Sequence, residues 1–441
     1  MDAPVSITQS WAALVCSLQE RSVSSPVLAI ARDRLIDAVA TAIAARDLKV
    51  PAVVRQFVGT REGAATVIGS QQTASAVDAA FLNAVLVNGC THDDFIAKSH
   101  AGAVTVPAAL AVAEEQGGVG GTALLTSIVL GYETVARAYF GGPGMLPRFR
   151  ATGVAGTFGA ATAAAFLMRL PEPQVAHALG LAAMFASGFG EGFLTGAMDV
   201  KINVGWASRS GVSAAQLARC GATAAPRVME GPSGFYAAFS NSPANVAAAT
   251  HGLGERFLIE DAVYKERPTC IFVQTPVELA CRLREAHGLA GQHIDRVRIR
   301  APLATLTNPG YQNIAPFATQ LQARISARFT VAAALLGRAV EDYAYYDAVD
   351  DAEVLALAER IDLLEPGDDS GVWLEVEAGG RAFHDSGEEM DHLCPSPDKT
   401  IAKYRRLTET LPRGPKDRLL ETLLEIDRLD DIAPLTALLR A

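Results

Sequence analysis

The chain has 441 residues, half of which are hydrophobic, and its formal net charge at pH 7 is -10. This length is sufficient for a large buried core shared between two domains, and the small aromatic fraction of 7% favours packed helices over a β-sandwich. No Lys/Arg-rich run is present, which argues against nucleic acids and anionic membranes as partners, because both bind clustered positive charge.

The amino-terminal segment has no basic stretch ahead of an apolar core, and no apolar run is long enough to span a bilayer. We therefore expect a cytoplasmic protein without a membrane partner. The six cysteines form no CxxC pair and the eight histidines no HExxH motif. This pattern predicts neither a disulfide framework nor a metal site.

The first half of the chain has the periodicity of a helical bundle, with apolar residues recurring at spacings of three and four from Trp11 to about Leu217. One helix is predicted to start at Ser25 and Pro26, where a hydroxyl is available as a cap and proline suits the first turn. Further helices are predicted over residues 73–87, 106–116, 122–140, 153–168, 172–186 and 208–220.

The pattern changes after Lys265. Residues 296–300 and 372–376 alternate with period two and predict strands, and helices are predicted between them over 329–336 and 351–360. From Pro397 onward the helical period returns. We therefore predict a helical domain built from residues 1–266 and 397–441, and a smaller α+β domain over residues 267–396.

The stretch from Asn88 to His100 brings acid, base and cation together between two apolar helices. In such a segment a carboxylate is able to orient a histidine for proton transfer. The alternative is structural, because Asp93 or Asp94 would also cap a helix start by accepting free backbone N–H groups. Both interpretations stay open at this point.

Three further cations are candidates for binding an anion. Arg150 precedes a helix start, Lys201 precedes a run of small residues, and Lys265 lies at the predicted domain junction, where burial would lower its pKa. Each is alternatively an ordinary surface charge. The glycines at 153, 156 and 159 lack the GxGxxG spacing and no strand precedes them, so we expect close helix packing there and no nicotinamide cofactor.

Several blocks taken together resemble the MmgE/PrpD family over almost the whole chain. They are NG, DDF and HAGAVTVPAALAVAEEQGGVGG, then LGYETVAR, TGVAGTFGAATAAA, HALGLAAMFASG, KINVG, EGPSGF and YKERPTC. The resemblance implies a large all-helical domain made from both ends of the chain, a smaller α+β lid and a homodimer. It also implies action on small di- or tricarboxylates without an organic cofactor, by removal of a proton or carboxylate next to an activated carbon.

Some positions of the family's active-site motifs are kept and others are replaced. The kept positions are His100, Lys201 and Lys265, with Asp93 and Asp94 beside them. Arg150, Asn203 and Gln274 stand where the family has histidines, and Phe329 where it has a tyrosine. The acidic motif is also shortened, to Thr91-His92-Asp93-Asp94-Phe95. This loss of proton carriers indicates chemistry other than standard 2-methylcitrate dehydration or cis-aconitate decarboxylation.

The sequence therefore predicts a lyase or isomerase of this family that abstracts a proton next to a carboxylate in a small polycarboxylate-like substrate. The predicted catalytic residues are His100, Lys201, Lys265 and Asp94, with His100 or Lys265 as the base. The predicted substrate-binding residues are Asp93, Lys98, Arg150, Asn203, Gln274 and Phe329. Dehydration, decarboxylation and epimerisation stay open. The alternative function is a catalytically silent relative that binds an anionic metabolite or a protein partner.

Overall fold

Helices form most of the chain in a computed structural model that describes residues 5–59, 62–240, 242–289, 293–365 and 371–440. The helices are α1 Ile7–Glu20, α2 Ser25–Ala44, α3 Lys49–Val58, α4 Ala76–Gly89, α5 Ala101–Gln116, α6 Gly121–Phe140, α7 Ala151–Leu167, α8 Glu172–Phe185, α9 Gly192–Thr195, α10 Asp199–Arg219, α11 Phe235–Phe239, α12 Val246–Thr250, α13 Ile271–His287, α14 Leu303–Leu306, α15 Gln320–Ile325, α16 Ala327–Leu335, α17 Ala352–Ala358, α18 Pro397–Leu407, α19 Arg413–Leu424 and α20 Ala433–Leu439. The strands are β1 Ala65–Thr66, β2 Thr73–Ala74, β3 Ile294–Arg300, β4 Ile361–Leu364, β5 Val372–Ala378 and β6 Arg381–Gly387. No helix in these ranges combines the length and the apolar character needed to cross a bilayer.

Two large hydrophobic clusters divide the packing. The first contains buried residues from both ends of the chain, including Trp11 of α1, Phe158 of α7 and Tyr404 of α18. The second contains residues of α13, α16 and the larger sheet, such as Val297 and Phe329. The prediction of a mainly helical fold with a smaller α+β part is therefore confirmed, while the exact domain limits stay a prediction.

The α+β part is built on a four-stranded sheet in the order β4, β3, β5, β6. Strand β3 runs parallel to β4 and antiparallel to β5, which pairs with β6. Burial alternates along β5, as its period-two sequence predicts. The sequence prediction missed β4, which is only four residues long, and β6, whose side chains are mostly exposed and therefore lack an apolar face.

The helical part also contains the short antiparallel pair of β1 and β2, so it is not strictly all-helical. This pair explains why α4 begins at Ala76 and not at residue 73: Thr73 and Ala74 are hydrogen-bonded in β2 instead. At the start of α2 the N-cap residue is Ser24, whose side chain makes no capping hydrogen bond. The predicted hydroxyl cap at Ser25 was therefore wrong.

Two helices begin earlier than the apolar periodicity predicts. Helix α5 starts at Ala101, five residues ahead of residue 106, and α10 starts at Asp199, nine ahead of residue 208. Lys201 therefore lies in the first turn of α10 and not in a preceding loop. In α10 the first turn contains the polar residues Asp199 and Lys201, and α5 begins with the small residues Ala101, Gly102 and Ala103. Neither start therefore shows the spacing of large apolar residues that marks a helix.

The predicted close packing at the glycines of α7 is confirmed. A Cβ on Gly159 would lie 2.5 Å from Val135 Cγ2 and 2.9 Å from the carbonyl oxygen of Gly131, both in α6. At Gly156 the nearest atom would be Val104 Cγ2 of α5, at 3.0 Å. Helices α5, α6 and α7 therefore approach each other more closely than larger residues allow, which brings the ends of α4, α5 and α7 to one site.

We predict that Gly159→Ala lowers the free energy of unfolding by about 1–3 kcal/mol, because the added methyl group overpacks a dense interior. Gly414→Ala is the matched control, since a Cβ there meets no atom within 4 Å. Its effect should stay within about 0.5 kcal/mol or be slightly stabilising. Urea unfolding followed by circular dichroism measures both, and equal stability of the two variants would contradict the packing argument.

Candidate active site

The turn of residues 88–92, at the carboxyl end of α4, is held by four buried cations that each donate to a different backbone carbonyl. The pairs are Lys201 Nζ to Asn88 O (2.6 Å), Arg324 Nη1 to Cys90 O (2.7 Å), Lys265 Nζ to Thr91 O (2.7 Å) and Lys403 Nζ to His92 O (2.5 Å). All four side chains are at most 7% exposed. Carbonyls at a helix carboxyl end carry partial negative charge, so cations are stabilised there. We call residues 88–92 the cation-held turn.

Thr91 is the strained residue of the cation-held turn. Its φ of 58° lies in the left-handed region, which is unfavourable for a β-branched side chain. Lys201 donates to its hydroxyl at 2.6 Å, while Lys265 donates to its carbonyl. The two lysines therefore stabilise the conformation that directs the chain from α4 towards the acidic pair Asp93 and Asp94.

Asp93 and His100 form the carboxylate–histidine pair that is one of the two interpretations of this segment from the sequence. His100 Nδ1 lies 3.0 Å from Asp93 Oδ2 and 3.1 Å from the carbonyl oxygen of Asp94. Asn88 Nδ2 donates to the same Asp93 carboxylate at 2.8 Å. Both neighbours of Nδ1 are acceptors, so we assign the proton of a neutral ring to Nδ1, which leaves the lone pair on Nε2.

The surrounding charges fix the protonation of this pair. Burial lowers the pKa of His100 to about 4, since the attraction of Asp93 is opposed by the positive charges of Lys265 and Arg150. Burial acts to raise the pKa of Asp93, but His100 and Lys265 outweigh it and hold that pKa well below its usual value. At neutral pH the pair is therefore an ionised carboxylate and a neutral imidazole.

Asp94 matches the capping interpretation. Its Oδ1 accepts the backbone N–H of Gly102 in the first turn of α5 at 3.1 Å, and Tyr132 donates its hydroxyl to Oδ2. Burial raises the pKa of Asp94 to about 6, although Arg34 nearby opposes this shift. The two interpretations thus apply to neighbouring residues, with Asp93 at the histidine and Asp94 at the helix start.

A cavity of about 710 Å³, including its opening, lies beside His100. Five of the predicted site residues line it: Lys98, His100, Arg150, Lys201 and Lys265. They come from the segment before α5, the N-cap of α7, the first turn of α10 and the segment before α13. Asp93 and Asp94 lie behind this wall. Asp93 therefore affects the cavity through its contact with His100, and Asp94 affects it by positioning the start of α5.

Besides Asp93, three predicted substrate-binding residues lie outside the cavity wall. Asn203, on α10, donates to the carbonyl of Ser187 at 2.9 Å. Gln274 is fully buried, and its amide nitrogen donates to Thr269 Oγ1 at 2.6 Å. Phe329 is fully buried in the core of the α+β part. These three residues stand at positions of the family's active-site motifs. Their positions around the axes of α10, α13 and α16, however, direct their side chains away from the cavity.

The cations of the cavity wall differ in how far they are engaged. Lys201 Nζ makes three hydrogen bonds, to Asn88 O, Asn88 Oδ1 and Thr91 Oγ1. Arg150 makes one, from Nη2 to Asn88 Oδ1 at 3.3 Å, and its buried Nε and Nη1 have no partner among the described residues. Burial lowers the pKa of Arg150 to about 10, so it remains a cation at neutral pH. Arg150 is therefore the cation best able to bind an incoming anion.

Lysines 201 and 265 are both affected by burial. Burial lowers the pKa of Lys201 well below its usual value, and Arg324 adds repulsion. Burial also lowers the pKa of Lys265, against the attraction of Asp93, whose Oδ1 lies 3.6 Å from Nζ. Three oxygen acceptors surround Lys201 Nζ, which matches the three N–H bonds of an ammonium, and Asp93 lies beside Lys265, so we assign both as cations. Both amino groups face the cation-held turn, so their main contribution to the cavity is electrostatic.

Sequence reasoning missed Thr91, Arg324 and Lys403. Arg324 and Lys403 lie on short polar helices where a charge normally faces water, and nothing in their spacing marks them as buried. The partners they bind are backbone carbonyls, which have no signature in the sequence. Within the described ranges, no group of three or more His, Cys, Asp or Glu side chains is arranged to hold a metal ion.

Comparison with known proteins covers nearly the whole chain. A family model for the MmgE/PrpD N-terminal domain matches residues 9–247, and one for the MmgE/PrpD C-terminal domain matches residues 268–370. Cis-aconitate decarboxylase of Homo sapiens is 23% identical, with 99% of this chain and 95% of the relative covered. The Mus musculus cis-aconitate decarboxylase is 22% identical, with 99% and 93% covered. The two models together span well over half of the sequence, so the chain belongs to the MmgE/PrpD family.

Proposed function

We propose that the protein is a lyase or isomerase that removes a proton from the carbon next to a carboxylate in a small carboxylate substrate. The observation that carries this proposal is the Asp93–His100 pair, in which a neutral, oriented imidazole lines a cavity that also contains Arg150. The names of the relatives, cis-aconitate decarboxylases, agree with a carboxylate substrate. That the substrate is a polycarboxylate stays a prediction.

His100 is the better candidate for the base than Lys265. As an ammonium, Lys265 has no lone pair and must lose a proton before it is able to act as a base. The carboxylate of Asp93, 3.6 Å from Nζ, opposes that loss. His100 uses Nδ1 for its contacts and has Nε2 left for the substrate. A neutral imidazole with a fixed tautomer is unprotonated at neutral pH and is therefore able to accept a proton, although its low pKa makes it a weaker base than an exposed histidine.

In the proposed reaction the substrate carboxylate binds the guanidinium of Arg150. Nε2 of His100 accepts the proton, and the electron pair of the broken C–H bond moves into the carboxylate as an enolate-like dianion. Arg150, with the positive field of Lys201 and Lys265, stabilises this charge. The electron pair then expels a leaving group from the neighbouring carbon, or a water molecule protonates the carbon on the other face. Asp93 remains ionised and holds the ring, while Asp94 positions α5.

We predict that the protein catalyses exchange of a carbon-bound hydrogen for solvent deuterium in one or more small carboxylates, as measured by NMR. His100→Gln should slow this exchange by at least about 100-fold, because a general base contributes 10²–10⁴-fold. His293→Gln is the matched control, since its side chain is 72% exposed on the α+β part. The control should exchange at the unaltered rate.

If the His100→Gln variant exchanges hydrogen for deuterium at the rate of the unaltered protein, the assignment of His100 as the base is wrong. Thermal stabilisation by a carboxylate without any exchange would support the alternative, a catalytically silent protein that binds an anionic metabolite.

We also predict that the exchange rate falls only at an unusually acidic pH. The base must be unprotonated, and burial lowers the pKa of His100 to about 4. The exchange rate at low substrate concentration should therefore be level above about pH 5 and fall about tenfold per unit below pH 4. Circular dichroism at each pH verifies that the chain stays folded. An acid limb near pH 6.5, the value of an exposed imidazole, would contradict the electrostatic account of the site.

The homodimer implied by the family resemblance is likewise a proposal. We expect sedimentation equilibrium at micromolar concentration to give twice the chain mass of 46.3 kDa. A mass equal to that of one chain would contradict it.

A further inference from the structure

We propose that the substrate of this cavity carries a bulky apolar group, of the size of an aromatic ring or a branched alkyl chain, beside no more than two carboxylates. This inference rests on the proposed function for the carboxylate and its reacting carbon. It narrows the substrate class from small polycarboxylates in general to carboxylates with an apolar substituent.

The wall of the cavity is largely apolar. Four aromatic rings from four separate segments line it: Phe95, Phe149, Phe193 and Phe272. Phe95 and Phe272 pack edge to face with ring centroids 6.3 Å apart. Leu321 and Ile325 of α15 add two aliphatic side chains to the same wall. A small, fully hydrophilic substrate would make no apolar contacts with this wall. An apolar substituent on the substrate would instead cover the wall and remove its apolar surface from water.

The number of cations that are free to bind the substrate limits how many carboxylates the substrate carries. Of the basic side chains that line the cavity, Lys201 is engaged by three hydrogen bonds and Lys265 by Thr91 and Asp93. His100 has the geometry of a neutral ring bound to Asp93. Arg150 and Lys98 remain. A third carboxylate would therefore be desolvated against aromatic side chains without a cation free to donate a hydrogen bond to it, which is costly.

The two available cations lie beside the aromatic surface. The guanidinium carbon of Arg150 is 5.5 Å from the ring centroid of Phe193, and Lys98 Nζ is 4.6 Å from that of Phe272. A carboxylate bound to Arg150 would place its neighbouring substituent next to Phe193. The anionic and apolar subsites are thus contiguous, at the separation expected within one small molecule.

Isothermal titration calorimetry of the full chain with four matched ligands tests the inference. The ligands are succinate, methylsuccinate, phenylsuccinate and tricarballylate. Phenylsuccinate should bind at least about tenfold more tightly than succinate, with methylsuccinate between them, because each buried apolar group adds affinity. Tricarballylate should bind more weakly than phenylsuccinate. Equal or tighter binding of succinate or tricarballylate, or no binding of any of the four, would overturn the inference.

A pair of phenylalanine variants locates the apolar subsite. Phe193→Ala removes part of the wall, and Phe57→Ala is the matched control, since its ring on α3 is 60% exposed and outside the set of residues that line the cavity. Phe193→Ala should weaken phenylsuccinate about fivefold or more and change succinate less than about twofold. Phe57→Ala should alter neither. Equal losses for both ligands in Phe193→Ala, or equal effects of the two variants, would contradict the assignment.

The deuterium exchange assay on the same ligands separates this inference from the proposed reaction. Preferential binding of phenylsuccinate without exchange in any ligand would leave the substrate class standing and overturn the reaction. Exchange in polar carboxylates without any preference for the phenyl group would leave the reaction standing and overturn the substrate class.

Discussion

The candidate site depends on the hydrogen bonds between four buried cations and the carbonyls of residues 88–92. A buried cation without a partner is strongly destabilising, so each of these side chains requires its carbonyl as much as the turn requires the cation. They arrive from α10, α15, α18 and the segment before α13. One turn therefore joins the amino-terminal helices, the α+β part and the carboxyl-terminal helices at a single point.

This arrangement explains how the site is able to keep an ionised carboxylate next to a neutral histidine inside the protein. Burial disfavours a positive charge on His100, and the repulsion of Lys265 and Arg150 adds to this effect, while the same positive potential keeps Asp93 ionised. Lys403 extends the network away from the cavity, with an ion pair to Asp37 at 2.6 Å. The lysines that the sequence offered as catalytic thus contribute to the proposed chemistry chiefly through their field and through the position of Thr91.

The parts of the fold that the sequence predicted are those with a strong apolar signal. The central helices α4, α5 and α7 are long apolar segments buried on nearly all faces, and strands β3 and β5 alternate apolar and polar residues. Strand β6 is exposed and β4 is short, so neither has such a pattern. The starts of α5 and α10 were placed too late, because α5 begins with the small residues Ala101, Gly102 and Ala103 and the first turn of α10 contains Asp199 and Lys201.

The same distinction applies to the site. His100, Lys201 and Lys265 were recognisable because they stand in motifs that resemble a family, and Arg150 because it precedes a helix. Arg324 and Lys403 were not recognisable, since their partners are backbone atoms brought close by the tertiary fold. Asn203 and Gln274 stand at motif positions, but the direction of their side chains depends on helix phase and on local partners such as Thr269.

The state of the His100 ring is the most direct test of this account, and it requires no substrate. Two-bond ¹H–¹⁵N correlation spectra of ¹⁵N-histidine-labelled protein report tautomer and charge, and His100→Gln identifies the signal. The account predicts a neutral ring at pH 7 with its proton on Nδ1, which becomes charged only near pH 4. An imidazolium at pH 7, or a neutral ring protonated on Nε2, would contradict it.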